Sequence, residues 1–512
     1  MLYKLCSKER IGMEISFENK TVNIYREVHH QTKRVQESAE SVVPDTDDDI
    51  GKLASVHTGV MLKSKDLTSR GVTVSGEATA ALLYITEDQS KVSFVRLSKS
   101  FSLEYEIADI QPDTVAQVEL SIINCEARVV NPRKVSVTFE MAGELSCFCQ
   151  ESLVTETSLP QDSGEGLHAK YDSCELMLVN AACEKTFGIN EQFSFPSGKP
   201  APSRLVSQNV EFLVSDKQLI GTKLIVKGNA LVSLCYLSEE VNYPVKTEFS
   251  TPFSQIIDIG EEGMDNCSLN IELTSAYFDI INTISNDKAL DCEIHAVIQL
   301  LTRRRRNISY VADIYSNRMP VNCDMQSCQF SMVSGIQKLK LSADERISVA
   351  EDCCDVLSAF VSLSDYSLEQ GKLRAELGVD IVYRDANALL SSVHRVLSME
   401  GEGERENMKI CSARMADVYL RPDGQFIDGH ISAEFECMVS DSVEFKKVGT
   451  VELDEESAFD TGEYPTVTLV KVQNESLWEL AKTYHSSIEQ IRAMNELEED
   501  ITGKLLLIPK AL

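Results

Sequence analysis

In the stretch "KVSVTFEM", Val135, Val137 and Phe139 fall on one side of an extended chain, and Ser136, Thr138 and Glu140 on the other. "GHISAEFECMV" sets Ile431, Ala433, Phe435, Cys437 and Val439 against His430, Ser432, Glu434 and Glu436. "AQVELSII" does the same with Val118, Leu120 and Ile122. Period two over five to ten residues predicts a strand with one dry and one wet face. Most of the chain before residue 450 reads this way, so the fold class expected is mainly β.

The pattern also recurs at long range. "VTVSGEATAALLYI" (Val72 to Ile85) resembles "LIVKGNALVSLCYL" (Leu224 to Leu237), and in each a glycine precedes a tyrosine by eight residues. Gly76 and Tyr84 lie 152 residues before Gly228 and Tyr236, and Pro44 of "ESVVP" lies 152 before Pro196 of "QFSFP". A looser third copy, "KLRAELGVDIVYRD", places Tyr383 a further 147 residues on, with Ala375 in the glycine's place. A period this long is a repeated domain, since solenoid units run about 20–50 residues. The repeated glycine predicts a bulge or a close backbone approach, and its loss predicts a more regular strand in copy three. The expected division is three sandwich- or barrel-like β domains at 1–158, 170–310 and 311–452, an acidic, self-repelling tether at 453–465, and a tail at 466–512.

In the tail the period changes. "TVTLVKV" (Thr466 to Val472) and "KLLLIP" (Lys504 to Pro509) read as strands. Between them Leu477, Leu480, Ala481 and Tyr484 form one helical stripe, and Ile488, Ile491 and Met494, closed by Leu497, form another. Ser476 with Glu479, and Ser487 with Gln490, have capping-box spacing, and Asn495 suits a helix end. The tail is therefore expected to fold as strand–helix–helix–strand.

Charge and chemistry narrow the function classes. With 49 basic and 80 acidic residues the net charge is −31, a field that repels nucleic acid and anionic membranes. The basic run Arg303 to Arg306 is expected at a strand end or against an acidic neighbour. No signal-like core and no apolar run of about 20 residues is visible, which predicts a cytoplasmic protein without membrane insertion. The fifteen cysteines lack paired zinc spacing and are expected as reduced thiols. "DTDDDIGKLASV" starts like a calcium loop at Asp45, Asp47 and Asp49, but Ile50 and Val56 stand where glycine and glutamate are required. His29-His30 has no ligand partner at useful spacing. With no phosphate loop, nucleophile elbow or metal-binding helix motif, the expectation is a non-enzymatic protein without cofactor or metal.

The tail resembles a LysM module through Ser476-Leu477-Trp478, Leu480-Ala481-Lys482, Tyr484, Ser487, Ile491, Asn495, Leu497, Gly503 and Ile508-Pro509. The resemblance implies a shallow groove for N-acetylglucosamine glycans between two turns, here Asn474, Glu475, Ser476 and Trp478 on one side and Asn495, Leu497, Thr502 and Gly503 on the other. The first turn lacks the family's glycine and reads Gln473-Asn474-Glu475, where side chains obstruct close approach of a sugar. Trp478 is read either as an exposed stacking platform or as packing. "VVPDTDDDIGKLASVHTG" followed by "VSGEATAALLYI" resembles the opening of SPOCS domains, all-β modules of spore-coat assembly proteins. Three such copies with a terminal LysM module imply a scaffold of the mother-cell cytosol, at the forespore surface, whose LysM module docks a coat-basement ATPase. The alternative is a peptidoglycan-binding cell-wall protein.

Overall fold

A computed structural model describes residues 13–108, 110–160, 166–284, 287–403, 405–454, 457–459, 466–496 and 501–510. After a short β1 (Met13–Ile15), copy one comprises β2 (Glu18–Val42), β3 (Ile50–Thr68), β4 (Gly71–Thr86), β5 (Val92–Glu106), β6 (Val115–Asn131) and β7 (Lys134–Ser158). These make two three-stranded antiparallel sheets, β3-β4-β5 and β2-β7-β6. Copy two repeats the plan with β8 (Leu167–Ser194), β9 (Arg204–Ile220), β10 (Lys223–Leu237), β11 (Val245–Asp258), β12 (Asn266–Asn282) and β13 (Lys288–Ser316), pairing as β9-β10-β11 and β8-β13-β12, the latter joined to β2-β7-β6 in one six-stranded sheet by a parallel contact of Ser309 with Glu156. Strand β13 runs past residue 310 without a break.

Copy three reaches the same arrangement with fewer, longer strands. β14 (Val321–Glu369) pairs over 321–348 with β17 (Met408–Leu453) and over 353–369 with β15 (Lys372–Asp385), which pairs in turn with β16 (Leu390–Glu402). β17 turns back near Gly424 (φ 61°), placing Arg414 on Glu434 at 2.5 Å and the Asp417 amide on the Ser432 hydroxyl at 3.1 Å. Each copy encloses its own apolar cluster, and the alternating residues named above fill it: Val135, Val137 and Phe139 in copy one, Ile431, Ala433, Phe435 and Cys437 in copy three. The chain is thus a triplicated β-sandwich.

The sequence repeat is a repeat of contacts. Tyr84 and Tyr236 are buried and donate to the carbonyls of Asp48 and Pro200, 3.0 and 2.9 Å away, each 36 residues upstream. Pro44 and Pro196 accept from the amides of Asp47 and Lys199 in matching turns. The glycines face aromatic rings on the next strand. A Cβ on Gly76 would lie 2.4 Å from the Phe101 ring, and one on Gly228 2.8 Å from Phe253. In copy three the matching cross-strand pair is Ala375 and Met399. The strand there is not more regular, because β14 still shifts register between Leu363 and Asp365, as β3 does between Leu62 and Ser64. At Gly76 the ring demands the glycine; at Gly228 the Leu213 backbone carbonyl, 2.3 Å from a Cβ and beside a register shift, demands it as well. In copy three a flexible methionine leaves room for a methyl group. Gly76→Ala is therefore expected to cost about 1–3 kcal/mol by overpacking. Adding Phe101→Met should recover most of the loss, as read from denaturant midpoints.

The three copies close on one another head to tail. Arg96 on β5 donates to the carbonyls of Leu205 and Val206 on β9. Lys246 on β11 donates to Ala359 on β14, and Ser392 on β16 exchanges contacts with Lys52 and Leu53 on β3. Leu83, Cys235 and Val382, each just before a buried tyrosine, meet in one cluster. A heterologous contact made three times and returning to its start is a closed ring, here within one chain. His57 lies on this seam, stacked on Phe360 at 3.9 Å and within 2.5 Å of the Ser207 hydroxyl; burial, then the charge of Lys246, pushes its pKa down to about 3. A second junction joins the long strands of all three copies through Ile24, Leu176, Ile308, Phe330 and Phe445.

Acidic and basic runs seen in the sequence are used internally. Arg133 bonds Asp49 at 2.9 Å and the carbonyls of Val43, Pro44 and Asp47, while Arg204 of copy two pairs with Asp47 at 2.8 Å. Two carboxylates of the calcium-like loop, Asp47 and Asp49, are thus paired with guanidinium groups. Arg303 is buried on Ser268, Arg304 reaches the Glu262 carbonyl, and Arg305 and Arg306 face Glu175 and Glu261.

Candidate docking site in the C-terminal unit

Beyond the ring, β18 (Val467–Lys471), α1 (Leu477–Thr483), α2 (Ile488–Asn495) and β19 (Leu505–Pro509) form the expected strand–helix–helix–strand unit. Its centre is Val472, Leu480, Ala481, Ile491, Leu506 and Ile508, all buried. Ser476 caps α1 with both bonds of the capping box in place. At α2 the Ser487 hydroxyl accepts from the Gln490 amide, so this cap rests on the serine's half of the device. Met494, expected in the apolar face, is exposed.

The first turn is folded over itself. The Glu475 carboxylate accepts from the amides of Gln473 and Asn474 at 2.7 and 3.1 Å, and the bond from its own amide, then those two, hold its pKa below the ordinary glutamate range. The Glu475 side chain thus covers two backbone donors of this turn. On the far side Asn495 does not itself take the left-handed position; Glu496 does, at φ 46°. Asn495 is the last residue of α2, and its carboxamide donates to the Ile491 carbonyl at 2.7 Å and bonds Leu507 twice, accepting from its amide at 2.7 Å and donating to its carbonyl at 2.6 Å. Gly503 turns with φ 75° beside the exposed Thr502, and Leu497 lies outside the described residues.

Trp478 is packing. Its indole N–H donates to Asp313 on β13 at 2.7 Å, and its ring meets the Tyr315 ring edge-on at 4.9 Å. Lys482 joins the same carboxylate at 2.7 Å, and the Tyr315 hydroxyl donates to the Ser486 carbonyl at 2.9 Å. Burial opposes ionisation of Asp313, but the bonds from Lys482 and Trp478 outweigh it and depress the pKa. The unit is therefore clamped to copy two. Nor is the acidic stretch wholly a free tether, since Phe459 bonds the Arg318 carbonyl at 2.8 Å and lies 3.8 Å from the His485 ring. The rest of that stretch, apart from 453, 454, 457 and 458, is outside the described residues. A pocket of about 230 Å³ is lined by Phe459, Thr468, Thr483, Tyr484, His485, Ile508 and Lys510, none of them a turn residue expected to hold glycan.

Fold and site together define a modular, repeated β-sandwich protein carrying a small α/β appendage. Residues 49–130 and 203–281 match the family model described as SipL, SPOCS domain, so that domain is present and repeated. Each range spans the three-stranded sheet of its copy and nearly all of the next strand, in register with the internal repeat. No curated protein and no solved structure matches the chain. Among the described residues, no helix is long and apolar enough to cross a membrane and no cluster of side chains fits a metal ion.

Proposed function

We infer that the protein is a non-enzymatic scaffold of endospore coat assembly, acting in the mother-cell cytosol at the forespore surface. The SPOCS ring is its framework, and the C-terminal unit, taken as a LysM module, docks a coat-basement ATPase. The observation carrying a protein partner over a glycan is the first turn, where Glu475 occupies the amides of Gln473 and Asn474. Peptidoglycan also carries carboxylates, which a chain of net charge −31 repels at long range. The test is co-purification of the ATPase with the full chain and with a chain lacking Thr466 to Leu512. Loss of the ATPase with the remainder still folded is expected; undiminished co-purification of the truncated chain overturns the tail as the dock.

A further inference from the structure

The first strands of the three copies meet at matching residues. β2, β8 and the first arm of β14 end their pairing at Val42, Ser194 and Ser348, so equivalent positions differ by 194 − 42 = 152 and 348 − 194 = 154 residues. At those spacings Ile24, Leu176 and Phe330 are one position, and all three lie in the junction that joins the copies. Like strands meeting at like residues surround a pseudo-threefold axis, pointing the same way and nearly level. One direct contact fixes the level of β8 against β14: the Met177 amide lies 3.2 Å from the Met332 sulfur, an offset of 332 − 177 = 155 residues.

Two residues earlier, on the same face of each strand, stand Val22, Cys174 and Cys328. Val22 and Cys174 pack against the junction. Cys174 is paired across β8 and β13 with Ile308, two residues before Tyr310, and Cys328 is paired across β14 and β17 with Phe445. The Tyr310 and Phe445 rings stack at 4.5 Å, which brings the two thiols to one place. Both sulfurs act on the Tyr310 hydroxyl, and burial, then Asp172 and Cys328, push the Cys174 thiol up. Both cysteines are free and half-buried. Their strands belong to different sheets, so no ladder of backbone bonds ties β8 to β14.

We propose that Cys174 and Cys328 are a redox-sensitive pair that thiol–disulfide exchange joins into a covalent staple between copies two and three. The oxidant is a small disulfide, here oxidised glutathione. The Cys328 thiolate attacks it and expels one glutathione thiolate. Cys174 then attacks the Cys328 sulfur of the mixed disulfide, and the second departing glutathione takes up the Cys174 proton. Two protein thiols become one disulfide while one oxidised glutathione becomes two reduced ones. The bond closes a loop of 328 − 174 = 154 residues, and a loop that long strongly restricts the unfolded chain. Copy one, with Val22 at this position, stays outside the staple.

The test incubates the folded full chain with oxidised glutathione at about pH 8.5, alkylates the remaining thiols and digests the product. Cleavage at Glu175 and Asp324 separates Cys174 from Cys183 and Cys328 from Cys323, so the linked peptide is unambiguous. A Cys174–Cys328 peptide that vanishes on reduction is expected, together with a higher guanidinium midpoint for the oxidised chain than for the reduced one. Cys328→Ser should lose both the peptide and the oxidation-dependent shift, each read against its own reduced form. Recovery of the two cysteines alkylated, capped separately by glutathione or bonded to other cysteines overturns the pairing. A linked chain whose midpoint equals that of the reduced chain overturns the staple.

Discussion

Asp313→Ala is expected to release the C-terminal unit from the ring. The carboxylate holds the Trp478 indole and the Lys482 ammonium together, and it is only partly reached by water. Losing charge-assisted bonds of this kind costs about 2–3 kcal/mol of docking free energy. Trp478 is the chain's single tryptophan, so its emission reports the event directly. A red shift and faster amide exchange over Leu477–Thr483 are expected, with the ring's own unfolding little changed. Asp313→Asn, which keeps an acceptor but loses the charge, should fall between. The docked pKa of Asp313 is depressed, so its contribution is complete above the ordinary aspartate pKa and is lost as pH falls through the docked value. The parent protein should show the same red shift on acidification, and the alanine variant should not.

The second large effect lies between copies one and two. Glu272 on β12 is half-buried, bonded by Asn270 at 2.7 Å and facing Glu119, the Leu120 amide and Lys65; burial is the main cause that pushes its pKa up to about 7. Glu119, facing Glu144 and Lys409, is raised to about 6, again chiefly by burial. A carboxyl raised in the folded state favours folding while protonated, so stability falls as pH climbs from the ordinary glutamate value through 7. A displacement of that size corresponds to roughly 3 kcal/mol. Glu272→Gln should therefore stabilise the protein by about 2–3 kcal/mol at pH 8 and hardly at all at pH 4.5. The comparison must be made between variant and parent at each pH, because His57 acts with the opposite sign. Its pKa is lowered to about 3, so the stability its neutral ring contributes is lost as pH falls below 6.5. Guanidinium unfolding at the two pH values reads the difference.

The strands were legible because each needs only its own alternation: Val135 to Glu140 and Ile431 to Val439 are placed by period alone. The repeat was legible because Tyr84 and Tyr236 perform one task at one spacing. What the glycine answers to was not, since Phe101 and Phe253 lie on the following strand and pair with it only after the sheet forms. Closure of the ring was hidden for a related reason. Arg96, Lys246 and Ser392 are ordinary surface residues until the copies meet, although the apolar runs around Leu83, Cys235 and Val382 carried a signal that both strand faces would be covered. In the tail, the helices and the first cap followed from local spacing. Trp478 stood between two readings because its partner Asp313 is 165 residues away. Asn495 ends α2 as its position suggested, whereas its bonds to Leu507 were hidden because they depend on how β19 returns beside α2.

The most direct measurement presents the full chain with both candidate ligands at once: the purified coat-basement ATPase in solution and purified sacculi that pellet. The account predicts that the chain stays in the supernatant and co-elutes with the ATPase on gel filtration. Chain that pellets with the sacculi and leaves the ATPase free would contradict it.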